Sequence, residues 1–469
     1  MLRRIKAVFT NQYSFSVVAK VFGVLVGFIF TIFQARYLGT EIKGQVATVN
    51  SIVSVTSILF GLGINNAYPY YKRNSDKDVL PVFMKIALLM LLVYCAISAI
   101  TIALFQIPAK YIAVMIITPL WTYDKIVSYI TLIEVPNRRH MTDMGVALLE
   151  LILLIVLWIV APPTFVIGVI IIAVKDVIKA FLFTLWWRKR IFEKSESLRK
   201  WFPILVKFGF FPMLSLLMTT LNYRLDVWML NGYVSDSLIG VYSVGVMLAE
   251  RIWMIPEAMK GVMVSKITKG KDAREVAYVT RICNTICLLI VVGIIVLGKP
   301  FISFVFGADY EGAYLVTLIL MGGIFPMIYY KLIGSYNIAI GKQRISFLLL
   351  TISVVCNVVA NLLLIPPLGI YGAGLASVIS YTVCSVLFIV YFCRTTKISF
   401  LSMLFVNKSD LKKLKKKLGK GGQKKTKEEK SVENAAEETA EAVSEAAGKQ
   451  ASDESEEDAV PVITDEDEF

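Results

Sequence analysis

About a dozen strongly apolar stretches, each near twenty residues long, follow one another from Tyr13 to Cys393. A run of about 20 apolar residues, rising 1.5 Å each, crosses the roughly 30 Å hydrocarbon core of a bilayer. The chain therefore reads as an all-α polytopic membrane protein. Its chemistry has to come from the few polar side chains that it keeps inside the spans. Composition agrees: 57% of the residues are hydrophobic and 18% charged, where a soluble domain would be nearer half apolar and a quarter charged.

The periodicity places helices near 13–37, 44–67, 80–105, 109–133, 145–161, 164–187, 203–231, 237–262, 279–297, 313–338, 345–365 and 369–393. Gly39, Pro162-Pro163, Pro203 and Pro366-Pro367 punctuate the boundaries. Met1 to Gln12 is basic, but the apolar run to Tyr37 has no small-x-small cleavage site, so it is read as a permanent first helix. The loops alternate in charge. One side holds Arg3, Arg4, Lys6, Lys72, Arg73, Lys77, Arg138, Arg139, the basic residues of Arg188 to Lys200, those of Lys266 to Arg274, and Lys342 with Arg344. The other side holds Lys43, Lys110 and Lys299, a ratio of 20 to three. The positive-inside rule then puts both termini in the cytoplasm of a multi-pass protein of the cell membrane, with an even number of helices.

The net charge of +14 would suggest nucleic acid in a soluble chain. Here most of the basic residues lie in short loops, so loop sorting explains them and no nucleic-acid partner is expected. Cys95, Cys283, Cys287, Cys356, Cys384 and Cys393 all lie in or beside spans, and His140 is the sole histidine. No metal-ligand spacing results, and neither a metal nor a cofactor is expected. No nucleophile–base pair or phosphate loop is present either, which argues against an enzyme. Residues 396–430 are lysine-rich, with Leu411, Leu414 and Leu418 at helical spacing, as in an interfacial helix on an anionic leaflet. Residues 431–469 are rich in Glu, Asp, Ala and Ser, a composition expected to be disordered.

Two halves resemble each other. Arg36 to Gly39 followed by Gly44 is matched in character by Leu230 to Gly232 followed by Gly240, at an offset of about 195 residues. This predicts two parallel six-helix bundles, 1–195 and 196–395, with a cleft between them. Polar stripes could line that cleft. Helix 1 carries Lys20, Gly23, Gly27, Thr31 and Gln34 at spacings of three and four. Helix 2 carries Asn50, Ser54, Ser57, Gly61 and Asn65; such small polar stripes are also ordinary packing surfaces. Helix 6 adds Lys175, Asp176 and Lys179, and helix 10 adds Lys331. Helix 7 carries Lys207, Ser215, Thr219, Asn222, Arg224 and Asp226; helix 8 carries Glu250, Arg251 and Glu257. Arg224, Asp226, Glu250 and Arg251 would form one charge network, either structural or coupled to an ion. Intramembrane cations thus come from both halves, and a cleft lined with them attracts anions, diphosphate above all.

Several segments also resemble a known family. Ala35-Arg36-Tyr37-Leu38-Gly39, Tyr223-Arg224-Leu225-Asp226, Ile239-Gly240-Val241-Tyr242, Leu248-Ala249-Glu250-Arg251 with Ile255-Pro256, and the block Asn357 to Ser380 are similar to bacterial and archaeal polysaccharide flippases. These belong to the multidrug/oligosaccharidyl-lipid/polysaccharide exporter superfamily. The resemblance covers roughly residues 1–395. It implies twelve helices in two bundles forming a V, and transport of a polyprenyl-diphosphate-linked glycan between leaflets for surface polysaccharide synthesis. It further implies a monomer whose partners are the lipid-linked glycan, membrane lipids and a polysaccharide polymerase or glycosyltransferases. The expected substrate-binding residues are Lys20, Gln34, Asn50, Lys179, Lys207, Arg224, Arg251 and Lys331, with Asp226 and Glu250 holding the cations or carrying a coupling ion. The alternative is a cation-coupled multidrug exporter, in which acidic side chains would dominate the cleft.

Overall fold

A computed structural model describes residues 12–268, 270, 273–406 and 410. The lysine-rich segment beyond Asp410 and the acidic tail lie outside the described residues. Thirteen α-helices follow one another among them: α1 (Gln12–Gly61), α2 (Ile64–Asn74), α3 (Leu80–Leu104), α4 (Ala109–Glu134), α5 (Pro136–Val160), α6 (Phe165–Phe192), α7 (Leu198–Leu230), α8 (Asp236–Arg251), α9 (Met254–Thr268), α10 (Arg274–Phe306), α11 (Ala313–Met321), α12 (Ile324–Ala339) and α13 (Gln343–Thr396).

These helices make twelve membrane spans, although the helix boundaries differ from those read from the sequence. Seven helical stretches are long and apolar enough to cross a bilayer, eight when α11 and α12, bent by 54°, count as one. Two of the long ones are double. The backbone turns at Gly39 inside α1 and at Gly369 inside α13, so each holds an outgoing and a returning span. The remaining two are α4 and α6, whose mid-span Asp124, Lys125, Lys175, Asp176 and Lys179 dilute the apolar pattern without shortening the helix. Spans 2, 8 and 10 are each broken part-way: at Leu62-Gly63, at Ile252-Trp253 and at Gly322-Gly323.

Spans 1–6 pack around one set of cores, with Phe83, Ile117, Tyr123 and Phe183 fully buried. Spans 7–12 pack around another, with Tyr242, Ile328, Phe388 and Phe392. The start of α7 crosses this division, since Trp201 and Leu205 are buried among spans 2–6. In the second bundle a polar layer ties three spans together. Ser380 Oγ donates to Asn222 Oδ1 at 2.5 Å and lies 3.0 Å from Ser353 Oγ.

The two bundles form a V with a central cleft, and its two flanks differ. Spans 2 and 7 touch along their length. Ser51 Oγ donates to the Arg224 carbonyl at 2.6 Å, Val55 and Ile58 pack on Met213 and Leu217, and Tyr70 stacks on Phe208 with ring centroids 5.0 Å apart. Between them the backbones of Gly63 and Gly209 abut, so a Cβ at Gly63 would overlap the Gly209 carbonyl. Gly63 also has φ 68°, a conformation that a β-carbon disfavours. We expect Gly63→Val to abolish recovery of monodisperse folded protein in detergent, as read by size-exclusion chromatography and tryptophan thermal unfolding, whereas Gly145→Ala, which meets no neighbour, leaves both unchanged.

Candidate functional site

At one end of the molecule span 2, just past its turn, lies on span 8, and the end of span 1 touches the end of α10 and the segment that follows it. There the backbone of α1 just after Gly39 lies on the start of α8. A Cβ at Gly44 would overlap the Asp236 carbonyl, and one at Gly240 would overlap the Thr40 carbonyl. The contact is reciprocal with a constant offset of 196 residues, Thr40 to Asp236 and Gly44 to Gly240, which is the signature of a local two-fold axis relating the halves.

Polar bonds close this end around the glycine contact. Thr40 Oγ1 and Ser237 Oγ are 2.6 Å apart. Asp236 accepts from Lys110 Nζ at 2.6 Å and from Gln45 Nε2 at 3.2 Å. Arg36 donates to the carbonyls of Val305, at 2.7 Å, and Phe304. These are orphan acceptors at the C-terminal end of α10, where a cation also complements the helix dipole. Tyr310 Oη donates to the Ala35 carbonyl at 3.0 Å.

Toward the other end span 1 departs from the second bundle. Lys20 and Gly23 are exposed, and a Cβ at Gly23 or Gly27 would meet nothing within 4 Å. Among the described residues no hydrogen bond or ion pair joins residues 18–33 to spans 7–12. The bundles are joined by backbone and polar contacts at the Gly39 end, and at the Lys20 end span 1 makes no polar bond to spans 7–12 among the described residues.

The residues expected at the site are distributed as follows. Arg224 pairs with Glu250 at 3.1 Å, joining spans 7 and 8, with side-chain exposures of 36% and 20%. Asp226 makes no direct bond to that pair, although its charge interacts with both Arg224 and Glu250. It is buried at 2% exposure, where it accepts from Tyr242 Oη at 2.5 Å, Ser377 Oγ at 3.2 Å and the Val227 amide at 2.7 Å. Two residues along a helix point roughly 200° apart, which is why Arg224 and Asp226 cannot share a face. Arg251 is half-buried and has no ion-pair partner among the described residues.

Lys331, from α12, pairs with Glu257 at 3.1 Å; Glu257 also pairs with Lys260. Lys331 lies 4.9 Å from the Trp253 ring and 5.3 Å from the Tyr223 ring. Trp253 occupies the break in span 8, so the break sets an indole and a cation side by side. The Trp253 Nε1, the Tyr223 hydroxyl and Glu250 Oε1 are all buried without a hydrogen-bond partner, an unusual concentration of unspent polar groups. The sequence offered no sign of this aromatic group beyond single residues on three spans.

Lys179 faces into the first bundle, 2.8 Å from Asp143 and 3.6 Å from Asp124. Lys125 and Lys175 each lie 5.3 Å from the Trp121 ring. Lys207 is exposed, and Asn50 is half-buried on span 2. Gln34 is buried and accepts from Lys43 Nζ at 2.5 Å. Lys43 was expected in a loop. The turn at Gly39 is so short that Lys43 already lies inside the returning helix and is 9% exposed.

We expect Gly240→Val to weaken the seal, because the added side chain has no room against the Thr40 backbone. In that background a Ser237→Cys thiol should react faster with a membrane-impermeant maleimide than the same thiol beside Gly240. Equal labelling rates would mean that this contact does not close the cleft.

Comparison with known proteins agrees with this geometry. The profile of the polysaccharide biosynthesis protein family matches residues 9–264. The probable low-salt glycan biosynthesis flippase Agl15 of Haloferax volcanii is 24% identical over 183 residues, which is 38% of this chain and 39% of that protein. The chain spans about two fifths of the length of the curated relatives it matches. Among solved structures, the lipid II flippase MurJ in an inward closed conformation superposes with a TM-score of 0.65 at 18% identity, covering 83% of this chain and 88% of that one. A point mutant of the Vibrio cholerae MATE transporter VcmN gives 0.55 at 15% identity over 85% of this chain and 99% of that one. The chain thus shares its fold with MurJ and VcmN, and it belongs to the polysaccharide biosynthesis protein family.

Proposed function

We propose that the protein is a flippase that moves a polyprenyl-diphosphate-linked oligosaccharide across the cytoplasmic membrane by alternating access. What supports this reading is the tight contact of the bundles at the Gly39 end, the lack of polar bonds from residues 18–33 to spans 7–12 among the described residues, and cations on both bundles in excess of their acidic partners. Arg224 and Lys331 are each balanced by a glutamate. Lys20, Lys207 and Arg251 have no acidic partner among the described residues. A dianionic head group fits such a surplus, since phosphate oxygens accept charge-assisted hydrogen bonds from several donors at once. An organic cation does not.

In this reading the open end faces the cytoplasm, as the loop charges require. The head group enters beside span 1, whose residues 18–33 make no polar bond to spans 7–12 among the described residues, while the prenyl chain stays in lipid. Lys20 meets the diphosphate first. Arg251 and the Arg224–Glu250 pair take it further in. Closing the Lys20 end and parting the Gly44–Gly240 contact then expose the head group on the outer face. The flippase named for Haloferax volcanii supports the substrate class. A multidrug exporter, the class of the VcmN neighbour, is the competing reading.

The test is transport by the full chain in proteoliposomes that hold a fluorescent polyprenyl-diphosphate oligosaccharide. Lys20→Ala and Arg224→Ala should each slow head-group translocation by about tenfold, the loss of one charge-assisted contact, with the protein still folded. Unaltered rates in both variants would falsify the phosphate assignment. Export of cationic dyes without glycolipid movement would favour the multidrug reading.

A further inference from the structure

The Lys43–Gln34 pair at the sealed end is the buried polar feature that the cleft cations leave unexplained. Lys43 is 9% exposed and Gln34 is 4% exposed. A lysine ammonium has three donor positions, and the bond to Gln34 Oε1 uses one. That bond fixes the orientation of the amide, so Gln34 Nε2 faces elsewhere, and it is buried without an acceptor. No carboxylate among the described residues pairs with Lys43. The neighbouring Asp236 has both oxygens engaged, one by Lys110 and one by Gln45, and Glu41 is exposed. A buried charge without a counter-charge is strongly unfavourable, and a buried donor without an acceptor adds to the cost.

The pair also stands where the two bundles meet. Gly44, next to Lys43, touches Asp236. Ala35, next to Gln34, and Ala47, one turn beyond Lys43, pack against the core of the second bundle. Parting of the Gly44–Gly240 contact would therefore bring this site to the surface of the cleft.

We propose that Lys43 and Gln34 form a receptor for an oxyanion at the sealed end of the cleft. The two side chains present donors only, and a phosphoryl group supplies the negative charge and the several acceptor oxygens that they lack. A cation or an apolar ligand satisfies neither. The anion comes from one of two sources: the diphosphate of the lipid-linked substrate, which rests on the function proposed above, or a free phosphate-type ion, which does not. In the first case the receptor is the last protein contact of the head group before release. The polar stripe of span 1 leads to it, running from Lys20 through Gly23, Gly27 and Thr31 to Gln34.

The test uses the full chain in lipid nanodiscs, with thermal unfolding followed by tryptophan fluorescence. Sodium pyrophosphate is titrated against sodium chloride of equal ionic strength. Pyrophosphate should stabilise the wild type saturably. Lys43→Met should raise the unfolding temperature without ligand, because a buried unpaired charge is removed, and should move the pyrophosphate midpoint up by about tenfold or more. Gln34→Leu should weaken the response in the same direction, and Lys43→Arg should keep it. A wild type indifferent to pyrophosphate overturns the receptor, and so does an undiminished response in Lys43→Met. If Lys43→Met fails to fold, the contrast between Gln34→Leu and Lys43→Arg decides on the same terms. Nanodiscs doped with polyprenyl phosphate separate the sources. Stronger stabilisation by the lipid supports the receptor and assigns it to the head group; stabilisation by the inorganic ion alone supports it with a free anion. Because binding is read without transport, a protein that binds pyrophosphate at Lys43 yet moves no glycolipid refutes the proposed function and leaves the receptor standing.

Discussion

The closed end depends on two backbones lying directly on one another. Gly44 and Gly240 have no side chains to hold the helices apart, so α1 beyond its turn and the start of α8 approach to backbone contact. Everything around that contact is short: a hydroxyl pair, a carboxylate shared by a lysine and a glutamine, an arginine on carbonyls. None is a large apolar interface. In a bilayer, lipid is as apolar as the side chains it would replace, so close packing and polar bonds are what remain to hold helices together.

The polar side chains inside the membrane divide by what they face. In the first bundle Lys179 is matched by Asp143 and Asp124, and Lys125 and Lys175 flank an indole. Asp226, deep in the second bundle, is held by a tyrosine, a serine and an amide. These groups hold each bundle together internally. The cations without an acidic partner among the described residues lie elsewhere, on spans 1, 7 and 8 and, with Lys43, in the first turn of span 2. The paired charges thus serve the bundles' interiors, and the unpaired ones lie outside those networks.

Much of this was legible in the sequence. Span length and loop charge gave the number of helices and their halves, because bilayer thickness and the positive-inside rule act on every span alike. The weak repeat around Gly44 and Gly240 proved to be the contact itself, since only residues without side chains permit it. Side-chain direction was harder to read. Arg224 and Asp226, two apart, point to different sides of α7, so only Arg224 bonds Glu250 and Asp226 is coupled to the pair through charge alone. Gln34, the last residue of the span 1 stripe, is bonded to Lys43, a partner the sequence placed in a loop. Lys43 was misplaced because a glycine turn shorter than a normal loop puts it a full turn into the next helix. The Lys331–Trp253–Tyr223 group was not visible at all. It depends on where span 8 breaks, and Ile252-Trp253 carries no strong breaker of its own.

The unequal flanks have a mechanical meaning. Spans 2 and 7 stay in register from Ser51 down to Tyr71, through paired glycines and stacked rings. If the bundles part as proposed, a molecule bound along that edge would open as a book does about its spine, with span 1 at the fore-edge. Such a motion would leave a slot on one side only. Cargo anchored to the bilayer would then keep its anchor in that slot throughout the stroke and would never have to thread the middle of the protein.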